Sequence, residues 1–198
     1  MNFIKVQKRL KETGMVIFTT LEFQRLMGMS TTASRKFLLH YTRLGIFWQI
    51  KRGLYSLRFD ELHPWLVANK LYQPSYISLD TALSYYGLIP ETIFEVTCIT
   101  TRATREFEAC NLIFHYHTIK KQAYTGYDPK IIDNNTILLA TPEKAIADYL
   151  YFAHLGKVSW NDRIRFKGLH KQQLKYHLKL FGRKHLLKWS QNVIGNKS

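Results

Sequence analysis

Cysteine occurs only twice in the 198 residues, as Cys98 and Cys110. Two thiols outside any Cys-x-x-Cys pair build neither a disulfide-stapled secreted domain nor a thiolate zinc site. Long apolar runs are also missing. No stretch approaches the roughly 18 consecutive apolar residues that a membrane helix needs. The opening segment, MNFIKVQKRLKETG, carries charge where a secretory signal has its apolar centre. The expectation is a cytoplasmic protein with no membrane partner. There is no His-Glu-x-x-His, no phosphate loop, no Gly-x-Gly-x-x-Gly and no Gly-x-Ser-x-Gly, so no metal, cofactor or catalytic residue is expected. A metal-dependent nuclease of the acid-x-lysine type is a weak alternative, because Glu95-Val96-Thr97 has threonine where lysine is wanted. The third scarcity is acid. Asp and Glu number 14 against 29 Lys and Arg, a formal charge of +15, while a hydrophobic content of 46% excludes disorder as the main state.

The surplus charge sits at the two ends. Residues 1–60 hold 11 basic and 3 acidic side chains, residues 61–159 hold 8 and 10, and residues 160–198 hold 10 and 1. Basic blocks around a nearly neutral middle point to a polyanion or an acidic protein as partner.

Hydrophobic spacing predicts a helix over 2–12 ended by Gly14, a second from the caps Thr19-Thr20 to Met27, and a third from Thr31 to about Leu44 between Ser30 and Gly45. The period then changes to two, and Lys51-Arg52-Gly53 interrupts it, predicting a β-hairpin over 46–58. Helix, helix, turn, helix and hairpin describe a winged helix-turn-helix. The fold class expected is α+β: a winged helix-turn-helix at 1–60, a partly helical linker region at 61–75, and a mixed α/β domain with basic C-terminal helices at 76–198. In that second part, strands are expected at 94–101, 111–119 and 137–140. Short helices are expected at 78–87, with Ser78 as cap, and from Thr141-Pro142-Glu143 to about His154.

On a helical wheel, Ala33, Phe37, Tyr41 and Leu44 share one arc of the third helix. Thr31, Thr32, Arg35, Lys36, Leu39, Thr42 and Arg43 share the other. Cations, small hydroxyls and one leucine suit a DNA major groove, where arginine grips guanine and methyl groups touch thymine. Ser30, Thr31 and Thr32 at the helix start suit phosphates. Lys51 and Arg52 at the hairpin tip would add backbone contacts. An ordinary solvated helix face is the plainer alternative.

Four segments in order are similar to the AbiEi-type antitoxins of type IV toxin–antitoxin and abortive-infection systems. They are Gly45-Ile-Phe-Trp-Gln-Ile-Lys-Arg-Gly-Leu-Tyr55, Tyr76 to Glu91 with Ser-Leu-Asp-Thr-Ala-Leu, Val96–Phe107 with Thr100-Thr-Arg-Ala-Thr-Arg105, and Leu139-Ala-Thr-Pro-Glu-Lys-Ala-Ile-Ala-Asp148. The resemblance implies a repressor that binds operator DNA, an inverted repeat upstream of its own operon, and also counteracts a nucleotidyltransferase-like toxin. Asp80, Arg102, Arg105, Lys144 and Asp148 become the antitoxin candidates. Read from the residues alone, Asp80 serves a helix start, Arg102 and Arg105 form a polyanion site or pair with Glu106 and Glu108, and an inward Asp148 needs a partner such as one of those arginines. A second domain that senses a ligand or dimerises is the alternative. In the tail, Lys171, Lys175 and Lys179 form a stripe beside Leu174, Leu178 and Phe181, suited to nucleic acid or an acidic protein.

Overall fold

The computed structural model describes residues 2–57 and 62–195. The last residue of the expected hairpin (58), the expected domain boundary at 60–61 and the chain end at 196–198 lie outside the described residues. The architecture is mixed α+β, with eight α-helices and two sheets among the described residues.

The N-terminal part comprises α1 (Phe3–Glu12), β1 (Ile17–Thr19), α2 (Thr20–Met27), α3 (Thr31–Arg43), β2 (Trp48–Lys51) and β3 (Leu54–Ser56). Local chemistry sets the boundaries. Thr19 and Glu22 close a reciprocal capping box on α2, Gly28 ends it in the left-handed region at φ 65°, and Ser30 caps α3 through the Ala33 amide. The strands form an antiparallel sheet in the order β1-β3-β2. Its two faces serve two different cores. Phe18 joins Val6, Leu10, Phe23, Met27, Leu38 and Phe47 in a local core, whereas the flanking Ile17 and the cross-strand Leu54 belong to the core of the rest of the chain. The period-two alternation of a strand achieves this division.

The partly helical connecting stretch holds α4 (Pro64–Leu71), with Val67, Ala68 and Leu71 buried. It is followed by β4 (Ser75–Ile77), α5 (Leu79–Tyr85), β5 (Val96–Thr100), β6 (Arg105–Ala109), β7 (Leu112–Thr118), β8 (Tyr127–Ile132), β9 (Asn135–Ala140) and α6 (Pro142–His154). The six strands form a mixed sheet in the order β6-β7-β5-β4-β9-β8. Tyr116, paired with Arg105 and one position from His117, faces α4 and donates to the Ala68 carbonyl at 2.7 Å. His117 faces the other side, against Phe152 of α6. Helices α7 (Lys171–Leu180) and α8 (Lys184–Gly195) pack over α6, where Phe181 stacks on Tyr151 at 4.1 Å.

β6 and β8 were not expected. Both begin hairpins whose two turn residues have positive φ, Cys110-Asn111 at 53° and 57° and Asp133-Asn134 at 46° and 60°. This backbone suits a two-residue hairpin turn, yet no glycine marks either turn in the sequence.

Candidate functional site

The outward face of α3 is built by what its inward face must cover. Ser34 and Leu38 are the buried residues, with Phe37 and Tyr41 half-buried beside them in an aromatic cluster with Phe3, Phe23 and Phe47. The packed arc is therefore turned from the one expected. Leu44 is exposed, Ala33 only half-buried, and Thr42 is drawn partly inward. Leu38 lies mid-helix over the core, whereas Leu44 is the C-cap residue beyond the last helical position. Thr31, Thr32, Arg35, Lys36, Leu39 and Arg43 remain exposed together. Not every hydroxyl is unengaged: the Ser30 Oγ caps the helix and Thr31 Oγ1 donates to Gln24 Oε1 at 3.0 Å.

The hairpin tip departs from expectation. Arg52 is exposed, but Lys51 is half-buried and donates to the Leu71 carbonyl at the end of α4, with its ammonium 5.3 Å from the centre of the Phe107 ring. A cation is stabilised at a helix C-terminus, where carbonyls lack partners. Burial, then the charge of Arg102, lowers the Lys51 pKa. Lys51 therefore ties the hairpin to α4 rather than projecting to a ligand.

Arg102 and Arg105 do not meet Asp148. Arg102 lies over Tyr72 at 4.4 Å and donates to the Gln73 carbonyl at 3.1 Å, while Arg105 is exposed on β6, on the α4 face of the sheet. The partner of Asp148 is Lys144, one turn earlier on α6. Both side chains are fully buried, with Nζ 2.6 Å from Oδ1. Tyr76 and Ser78 donate to Oδ2 at 3.0 and 2.8 Å. Burial pushes the Asp148 carboxyl up, while Lys144, Ser78 and Tyr76 oppose that shift by stabilising the anion. The pair is an enclosed structural node. Ser78, expected as the cap of α5, spends its hydroxyl here. Thr97 substitutes from β5, its Oγ1 accepting from the Thr81 amide at 3.2 Å.

Asp80 lines an open cleft of about 760 Å³ with Glu91, Glu95, His115, His117 and Trp160. His115 is held between Glu95 (2.9 Å) and Glu106 (3.2 Å). Burial raises the Asp80 pKa; its own backbone hydrogen bond opposes this, and Glu91 and Glu95 add to it. Burial lowers that of His117, with His115 and Lys157 adding to the effect. Among the described residues, no group of three or more His, Cys, Asp or Glu is placed to hold a metal ion. Sequence reasoning missed this cleft because its residues come from α5, the 91–95 segment, β5, β7 and the 157–163 loop, which only the fold brings together. Its one local sign was the alternation of His115 and His117.

In the tail, Lys171, Lys175 and Lys179 are exposed along α7, and Leu174, Leu178 and Phe181 are buried, as the spacing predicts. No described helix is long and apolar enough to cross a membrane.

No family model matches the chain, and no curated protein matches it. Among solved structures, the RV2827C protein from Mycobacterium tuberculosis is similar with a TM-score of 0.42 and 14% sequence identity, over 98% of this chain and 82% of that one.

Proposed function

We propose that residues 2–57 are a winged helix-turn-helix and that the protein is a sequence-specific transcriptional repressor of its own operon, a binding protein and not an enzyme. The observation that carries the reading is the outward face of α3. Three cations, two threonines and a leucine are exposed together on a helix without a single acidic residue, positioned by a capped turn from α2. Arg35 is the candidate base reader, and Lys36, Arg43 and Arg52 are candidate phosphate contacts. Arg35→Ala should weaken binding to DNA from upstream of the gene by about 1–3 kcal/mol and relax its sequence preference. Fluorescence anisotropy against a scrambled duplex, over a salt series, tests this. Equal affinity for both duplexes would reduce the face to electrostatics and sink the specific-repressor reading.

The antitoxin activity, directed against a nucleotidyltransferase-like toxin, is carried by the resemblance of four segments. Its test is rescue of cells from the neighbouring gene product by a chain whose α3 face is disabled. Of its candidate residues, Arg105 is exposed and Asp80 reaches the cleft, whereas Lys144 and Asp148 contribute through stability. A second reading, a repressor whose second part senses a small ligand, is favoured by the polar cleft at Asp80, His115 and His117.

A further inference from the structure

A groove of about 380 Å³ runs between α7 and α8. Both helices line it at helical spacing, Lys171, Leu174, Lys175 and Leu178 from α7, and Leu187 and Ser190 from α8. Its floor is aliphatic. Ser190 lines the groove from α8 and is itself fully buried. The rim is cationic: Lys171 and Lys175 are exposed one helical turn apart, and none of the described residues lining the groove is acidic.

We propose that this groove docks an acidic amphipathic helix of a protein partner. Apolar side chains at i, i+3 or i+4, and i+7 of the incoming helix would enter between Leu174, Leu178 and Leu187. Carboxylates at four-residue spacing along its flank would meet Lys171 and Lys175. A nucleic acid fits less well, because the lining holds no aromatic ring or arginine on which a base can stack. The inference goes beyond the DNA reading and stands apart from it, since Arg35→Ala should leave this binding unchanged.

The probe is a fluorescein-labelled, hydrocarbon-stapled helical peptide with leucines at i, i+3 and i+7 and two flanking glutamates four residues apart, titrated against the full chain. Saturable binding is expected. Lys171→Glu with Lys175→Glu should weaken it about tenfold, and a peptide with lysines in place of the glutamates should bind that variant better than it binds the native chain. Leu187→Gln should abolish binding. If that variant does not fold, the charge-swapped pair decides alone. Absence of saturable binding, or binding indifferent to the charge swap, would overturn the proposal. So would a single-stranded oligonucleotide that binds in a Lys171- and Lys175-dependent manner and is not displaced by the peptide.

Discussion

Separating Lys144 from Asp148 should destabilise the fold in two ways that differ in pH dependence. In Lys144→Met, the Asp148 carboxylate stays fully buried with only the Tyr76 and Ser78 hydroxyls as donors. Its cheapest escape is to take up a proton. From the ordinary carboxyl value of 3.8, that costs about 4 kcal/mol at pH 7 and about 2 kcal/mol at pH 5. In Asp148→Asn, the ammonium is left against the Phe181 ring at 4.8 Å with no counter-charge. Both single variants should lose about 3–5 kcal/mol at pH 7, the usual cost of breaking a buried pair. For a chain of this size that is a melting-temperature drop of roughly 6–20 °C. On moving to pH 5, Lys144→Met should regain stability relative to the native chain, and Asp148→Asn, which has no carboxyl to protonate there, should not. The double variant, which leaves no buried charge and keeps partners for Tyr76 and Ser78, should recover most of the loss. Urea unfolding at the two pH values measures all three. Parallel pH dependence of the single variants, or a double variant as unstable as the worse single, would refute the assignment of this pair as a closed, mutually neutralising node.

Other outcomes follow from the same packing. His177 is buried against Gly126, and burial, then the charge of Lys144, holds its imidazole below the ordinary value of 6.5, with Glu143 opposing. A lowered folded value means that the unfolded chain takes the proton first. The contribution is therefore complete above about pH 6.5 and is lost as the pH falls below it. His63 and His117 shift in the same direction, so thermal melts from pH 8 to 5 should show a decline that His177→Gln flattens in part; an unchanged slope would remove His177 from the account. At Gly126, φ is 79° and an added Cβ would lie 2.4 Å from the His177 ring. Gly126→Ala should cost about 2–4 kcal/mol by combining left-handed backbone with overpacking, and His177→Ala should relieve part of it in a double-mutant cycle. At the hairpin tip, Arg52→Ala should flatten the salt dependence of the proposed DNA binding by about one ion. Lys51→Ala should leave that slope alone and lower stability instead; the reverse pattern would return Lys51 to the proposed DNA interface.

What the sequence by itself determined is what short-range chemistry controls. The capping box at Thr19 and Glu22, the left-handed Gly28, the Ser30 cap and the Thr141-Pro142-Glu143 start all act within a few residues, so the helices they bound were legible. So were the exposed cations of α3 and the stripe of α7, because helical periodicity alone separates a buried leucine from a lysine beside it. Tertiary structure decided the rest. β6 and β8 stayed hidden because Arg105-Glu106-Phe107-Glu108 has the charge of a loop, and its turn lacks glycine. The connecting stretch was legible as partly helical, but that its helix α4 is buried was decided by the sheet its apolar face covers. Lys51 turned inward only because the end of α4 offers carbonyls at its reach. Asp148 could be recognised as an inward acid on an apolar helix. Its partners, Lys144 from one turn away and Tyr76 and Ser78 from 72 and 70 residues away, were chosen by the pairing of β4 with its neighbours and the packing of α6 across them. Burial and pairing of charge are properties of distance in space, and distance in space is set by the assembled sheet.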